Sequence, residues 1–135
     1  MVARRSLREY GRTLDVATIL IADDSRFMLD IVSVALKRAE HEVVMAVDGM
    51  EALEKAKHTE VDLVITDISM PRMDGFQLIK ELRSLAAYRF TPLLVLTTEF
   101  RDDQKSRGKV AGATGWLVKP FDPEQLLAVV NRVLA

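Results

Sequence analysis

Five short apolar runs, each of strand length and each followed by a longer amphipathic or polar stretch, restrict this chain more than any other feature. Ala17 to Ala22, Val43 to Ala46, Asp62 to Asp67, Leu93 to Thr97 and Trp116 to Val118 carry apolar side chains at consecutive rather than alternate positions. Strands of that kind need cover on both sides. Between them, apolar residues recur at helical spacing: Leu29, Val32 and Leu36, then Ala52, Leu53 and Ala56, then Leu78, Ile79 and Leu82, and finally Leu126, Leu127, Val130 and Leu134. The polar residues around Arg101 to Lys109, ending near Gly112, predict a further helix. The reading is an α/β fold, doubly wound, with a five-stranded parallel sheet and five helices. Right-handed crossovers favour the strand order 2-1-3-4-5.

Local signals mark the joints. Asp48 with Glu51 has capping-box spacing, and Asp122-Pro123-Glu124-Gln125 supplies an N-cap, a first-turn proline and a capping partner. Pro92 stands at the entrance of the fourth strand, where a missing N–H is tolerated. At 135 residues with 49% hydrophobic and 29% charged side chains, the chain is long enough for one domain with a real core and is not a disordered or repetitive sequence. It contains no apolar run of membrane-spanning length and no cysteine, which excludes disulfides and thiolate metal sites and points to a cytoplasmic, non-secreted protein. A net charge of -1 gives no field for nucleic acid or a membrane surface. Its distribution is uneven: within residues 1–12, Arg4, Arg5, Arg8 and Arg12 face only Glu9, and residues 1–16 read as a short basic extension ahead of a domain spanning 17–135.

The strand ends carry the chemistry. In the order 2-1-3-4-5, the ends of strands one and three flank the point where the winding reverses, the usual ligand crevice of such sheets. Asp23 and Asp24 follow strand one, Asp67 follows strand three, Thr97 ends strand four and Lys119 follows strand five. Three crowded carboxylates repel one another, and a divalent cation is their natural partner; oxygen-only ligands favour Mg²⁺, with Ca²⁺ or Mn²⁺ open from ligand type alone. A cation beside an ammonium and a hydroxyl cradles a phosphoryl group. Asp67 is the best acceptor, since a carboxylate oxygen attacks phosphorus to give an acyl phosphate while Asp23 and Asp24 hold the metal. Met70 and Met73 are expected to pack the loop after strand three, and His41 and His58 to be surface histidines.

The chain resembles the receiver domain of bacterial two-component response regulators. The likeness rests on Asp23-Asp24, on Asp67-Ile68-Ser69-Met70-Pro71-Arg72-Met73-Asp74-Gly75, on Thr97-Thr98-Glu99 and on Lys119-Pro120-Phe121, and it covers residues 17–135. Through Ala111 to Phe121 it is most similar to the stand-alone chemotaxis receivers that bind the flagellar motor switch. The resemblance implies a flavodoxin-like receiver fold, a histidine kinase as phosphodonor and Asp67 as phosphoacceptor. It further implies Asp24, Asp67 and the Ser69 carbonyl as direct Mg²⁺ ligands, with Asp23 acting through water. Thr97 and Lys119 would contact the phosphoryl oxygens, assisted by the backbone N–H groups of Ile68, Ser69 and Thr98. Thr97 and Trp116 would form the switch, and the Lys119–Pro120 bond would be cis. The implied protein is a monomeric signalling phosphoacceptor rather than an enzyme, assisting its own phosphorylation and dephosphorylation, with a phosphorylation-dependent protein partner. Two departures stand out, Ser69 where motor-binding relatives carry Asn and Trp116 where they carry Tyr. The rival functions are a receiver in another histidine-kinase phosphorelay and an aspartyl-nucleophile phosphohydrolase, which would carry a second acid at the position of Ser69. A flavodoxin-like electron carrier would need small hydroxyl and glycine residues where Asp23-Asp24 stands.

Overall fold

The structure, a computed structural model, describes residues 16–135. The basic extension read at residues 1–16 lies, apart from Val16, outside the described residues. Five parallel strands, β1 (Thr18–Ala22), β2 (Glu42–Ala46), β3 (Leu63–Thr66), β4 (Leu93–Thr97) and β5 (Gly115–Val118), form one sheet in the order β2-β1-β3-β4-β5. The connecting helices are α1 (Arg26–Arg38), α2 (Gly49–His58), α3 (Gly75–Ser84), α4 (Asp102–Ala111) and α5 (Pro123–Leu134), with a 3₁₀ turn at Ala86–Tyr88. This is the architecture and strand order that the sequence predicts.

Consecutive apolar residues are used on alternate faces. Ile19 and Ile21 of β1, Leu63 and Ile65 of β3, and Leu94 and Leu96 of β4 pack with Leu29, Val32 and Leu36 of α1 and Leu126, Val130 and Leu134 of α5. Leu20, Val64, Leu93 and Val95 point the other way, onto Ala52, Leu53 and Ala56 of α2 and Leu78, Ile79 and Leu82 of α3. Each Leu, Ile or Val side chain among these, removed from water, contributes roughly 1.5–3 kcal/mol to holding its helix on the sheet, and each alanine less. Helix α4 is different, because Gly108 is its one buried residue. It is held by a few side chains from its neighbours rather than by an apolar face of its own.

The caps form as expected. Asp48 accepts the Glu51 N–H at 2.7 Å while the Glu51 carboxylate accepts the Val47 N–H at 2.9 Å. Helix α4 ends on Gly112, whose φ of 117° lies in the left-handed region that glycine enters at little cost. The third strand is shorter than expected. Asp62 and Asp67 fall just outside it, although their N–H groups still donate to the Thr18 and Ala22 carbonyls at 2.8 and 2.9 Å.

One histidine departs from expectation. His58 is exposed, 2.8 Å from Glu54, but His41 is buried and its Nδ1 accepts the Ala17 N–H at 3.0 Å. The imidazole satisfies a backbone donor at the base of β1, where a surface histidine was expected. Met70 and Met73 pack against the α2/α3 core, as the sequence predicts.

Candidate functional site

The sheet register brings the acidic residues to one level. Ala22 pairs with Thr66, and beyond them the Asp67 N–H donates to the Ala22 carbonyl at 2.9 Å while the Asp23 N–H donates to the Ala46 carbonyl at 3.1 Å. Asp23 and Asp67 therefore leave adjacent strands side by side. Ser25, the N-cap of α1, accepts the Met28 N–H through its hydroxyl and donates its own N–H to Asp23 Oδ1 at 2.9 Å. Asp24, between them, stays exposed. Carboxylate oxygens of Asp23, Asp24 and Asp67 all lie within 4.8 Å of one another.

Lys119 completes the group from the far side of the sheet. Its N–H donates to the Thr97 carbonyl at 2.7 Å, its bond to Pro120 is cis, and its ammonium reaches Asp23 Oδ2 at 2.6 Å and Asp67 Oδ2 at 2.9 Å. With side-chain exposures of 9–12%, these three groups form a nearly dry ion triplet of one cation and two anions. Burial alone would lower the Lys119 pKa, but the hydrogen bonds it donates to Asp23 and Asp67 outweigh it and hold the ammonium above its ordinary value. Burial raises the Asp23 carboxyl above the usual carboxylate range, more than the Lys119 hydrogen bond pulls it back. One ammonium cannot neutralise three carboxylates.

The donor set fits a hard divalent cation, since it offers only carboxylate oxygens, converging from two strand ends and short of one or two positive charges. The raised Asp23 pKa also has a stability consequence. A carboxyl whose folded pKa lies above its unfolded value of 3.8 adds stability below that value and loses it as pH rises through the folded pKa. Asp23→Asn, without added cation, is therefore expected to be more stable than wild type at neutral pH, the gain shrinking to nothing in acid below pH 3.8. Urea melts across this range check it, and a gain that is independent of pH contradicts it.

The loop after β3 forms one bank of an open groove. Asp67 Oδ1 accepts the Ile68 N–H at 2.6 Å, and the Ile68 carbonyl accepts the Gly75 N–H at 2.8 Å. Gly75 is required there, because a Cβ at that position would overlap the Asp67 carbonyl oxygen. The groove, of about 780 Å³, is lined by Asp67, Ile68 and Ser69 on this bank, by Asp24 of the β1–α1 loop, and by Thr97, Thr98, Glu99, Arg101 and Arg107 towards α4. Ser69 and Thr98 are exposed to it. Thr97 is buried, and its hydroxyl accepts the Glu99 N–H at 3.3 Å.

Trp116 lies inward, with features around it that the sequence reading missed. Its indole N–H donates to the Glu99 carbonyl at 2.9 Å, and its ring centroid is 6.4 Å from that of Phe76 at 33°. Above it, α4 presents Gly108, where a Cβ would come within 2.6 Å of the indole Cζ3. The Arg107 guanidinium sits 4.1 Å over the Phe76 ring. Arg83 pins the end of the same helix, donating to the Gly112 carbonyl at 3.0 and 2.9 Å and to the Tyr88 and Thr91 carbonyls at 2.7 Å each. A glycine inside a helical pattern, costing about 1 kcal/mol against alanine, was the one signal in the sequence that something closely approaches α4.

Comparison with known proteins agrees with this geometry. Residues 19–131 match the response regulator receiver domain. Protein PilH of Pseudomonas aeruginosa is 36% identical over 120 residues, covering 89% of this chain and 99% of that protein. Protein PilG of the same organism is 31% identical over 117 residues, with 87% of each chain covered. Among solved structures, the chemotaxis response regulator CheY4 of Vibrio cholerae superposes with a TM-score of 0.85 at 49% identity, covering 88% of this chain and 99% of that one. Among the described residues, no helix is long and apolar enough to cross a membrane. A parallel sheet in the order 2-1-3-4-5, an acid cluster at its winding reversal and a family match over nearly the whole described chain lead to one conclusion: the chain belongs to the response regulator receiver domain family of two-component signalling.

Proposed function

We propose that residues 17–135 act as a cytoplasmic, monomeric phosphorylation switch in a chemotaxis-type pathway, with Asp67 as phosphoacceptor. The observation that carries this reading is the Lys119 ammonium bridging Asp23 and Asp67 beside Asp24. An Asp67 carboxylate oxygen attacks the phosphorus of a kinase phosphohistidine; the O–P bond forms, the P–N bond breaks, and its electron pair returns to the imidazole. Asp24, Asp67 and the Ser69 carbonyl would hold Mg²⁺, with Asp23 linked through water, and the ion supplies positive charge for the transferred oxygens. Lys119 and the Ile68, Ser69 and Thr98 N–H groups neutralise the phosphoryl group on the protein side. These same groups let the chain assist its own phosphorylation and dephosphorylation. Ser69 in place of a second acid favours an acceptor over a hydrolase. The similarity to CheY4, PilG and PilH supports a chemotaxis-like pathway, with the flagellar motor switch as first candidate partner.

The output follows from the hydrogen bonds around Glu99. When the Thr97 hydroxyl turns to a phosphoryl oxygen, it gives up the Glu99 N–H, and the Glu99 carbonyl is the acceptor of the Trp116 indole. A shift of this loop reaches Trp116 directly, and through it Gly108 and the weakly anchored α4, so phosphorylation biases the α4–β5–α5 surface. Saturating the site with Mg²⁺ and beryllofluoride, an acyl-phosphate mimic, is expected to move the NMR signals of the Trp116 indole N–H, the Gly108 amide and their neighbours on that surface. Signals that keep their apo positions while those of Asp67 and Ile68 shift would refute the coupling.

A further inference from the structure

The β3–α3 loop is held by a residue outside the acid cluster. Arg72 has a φ of 67°, a left-handed conformation that a non-glycine side chain keeps only where its surroundings impose it. Its guanidinium forms a two-pronged pair with Asp48, Nε to Oδ2 at 2.9 Å and Nη2 to Oδ1 at 3.1 Å. Asp48 is a firm post: its side chain is 8% exposed, and as the N-cap of α2 it also accepts the Glu51 N–H at 2.7 Å. The contact is reinforced next door, where Gly49 lies against the Met73 backbone so closely that a Cβ would overlap it. At the other end of the loop, the Ile68 N–H is bonded to Asp67 and the Ile68 carbonyl to the Gly75 N–H. Ser69, Met70 and Pro71 are thus strung between two fixed points, one on the phosphoacceptor strand and one on α2.

We propose that Arg72 is a positioning residue for the cation, its clamp on Asp48 fixing the loop so that the Ser69 carbonyl faces the acid cluster. The inference rests on the Mg²⁺ reading above and adds to it a group that touches neither metal nor phosphate. The guanidinium beside it also holds the Asp48 carboxyl below the usual carboxylate range, so the pair stays ionised wherever the site itself can bind a cation. A clamp and a bare charge act with opposite sign on Mg²⁺. As a positive charge Arg72 repels the ion, and its removal would tighten binding; as a clamp its removal weakens binding. Lysine keeps the charge but lacks the planar fork that spans both Asp48 oxygens.

Calorimetric Mg²⁺ titration of the full chain separates the cases. Arg72→Ala and Arg72→Lys are each expected to weaken Mg²⁺ binding about tenfold, at the low end for groups that orient metal ligands through another residue. Asp48→Asn, which keeps the N-cap of α2 because asparagine also caps, is expected to weaken it similarly, and the Arg72→Ala/Asp48→Asn double variant no further than either single change. Tighter binding in Arg72→Ala with unchanged binding in Arg72→Lys would leave only a charge effect and overturn the proposal. So would wild-type affinity in both variants alongside a lowered melting temperature, the mark of a merely structural pair. If wild type itself binds no Mg²⁺, the metal reading falls and the role of Arg72 falls with it; if wild type binds and the variants bind equally, only the role of Arg72 is lost.

Discussion

Asp67→Asn is expected to abolish phosphoryl transfer to this chain, from one group per molecule to none, when the protein is incubated with Mg²⁺ and a phosphorylated histidine kinase. The asparagine amide keeps the size of the side chain and an acceptor for the Ile68 N–H, but it lacks the anionic oxygen that must attack phosphorus. Other hydroxyls are poor substitutes. Neither the Ser69 nor the Thr97 hydroxyl has a histidine beside it to take its proton, since His41 lies at the base of β1 and His58 at the end of α2. Phosphate counting by intact mass checks the outcome. Full, hydroxylamine-resistant label in the variant would mean an ester on a hydroxyl group and would remove Asp67 from the chemistry.

Lys119→Ala is expected to loosen the coupling of uptake to output and to weaken the fold in the absence of cation. The ammonium is the shared partner of two carboxylates, and its loss leaves Asp23 and Asp67 facing each other with little solvent. Breaking a fully buried pair costs about 3–5 kcal/mol; here the groove admits water beside Asp67, so a loss of about 2–3 kcal/mol is expected without metal. Mg²⁺, which replaces the missing charge, should restore much of that loss, so the stabilisation on adding Mg²⁺ should be larger than in wild type. Phosphate is still accepted, because Asp67 and the metal ligands remain. The tie from the phosphoryl group to β5 is gone while the Thr97–Glu99 route remains, so the Trp116 surface should respond only in part, with indole shifts well below those of wild type. Urea melts with and without Mg²⁺ test the first part and indole NMR shifts after phosphorylation the second; wild-type stability without metal, or wild-type shifts, would contradict it.

The sequence was most legible where one residue type has one physical use. Runs such as Leu63 to Thr66, apolar at nearly every position, had to be strands covered on both sides, and strand order then followed from connection rules. Order in turn placed Asp23 and Lys119, 96 residues apart, at one sheet edge, where their side chains are 2.6 Å apart. Legibility failed where a side chain answers a distant backbone group. His41 is buried because its Nδ1 meets the Ala17 N–H 24 residues away, and no local pattern records that partner. Helix α4 has almost no amphipathic pattern, so its seat depends on Gly108 against the indole, Arg107 on Phe76 and Arg83 at Gly112. The inward position of Trp116 depends on those same contacts, which explains why the sequence could mark it as a switch residue without fixing where it sits. Arg72 was visible only as part of a motif, since its partner Asp48 lies 24 residues earlier in another loop.

Central to this account is a covalent acyl phosphate at the end of β3, and its most direct test is chemical mapping of the phosphorylated wild-type chain. Borohydride reduces an aspartyl phosphate to homoserine but leaves serine, threonine and histidine phosphates unreduced. Peptide mass spectrometry after phosphorylation in Mg²⁺ and borohydride treatment should find homoserine at position 67 and at no other aspartate, lost when hydroxylamine precedes the borohydride. Unmodified aspartate at 67 in a chain that demonstrably carries phosphate would contradict the account.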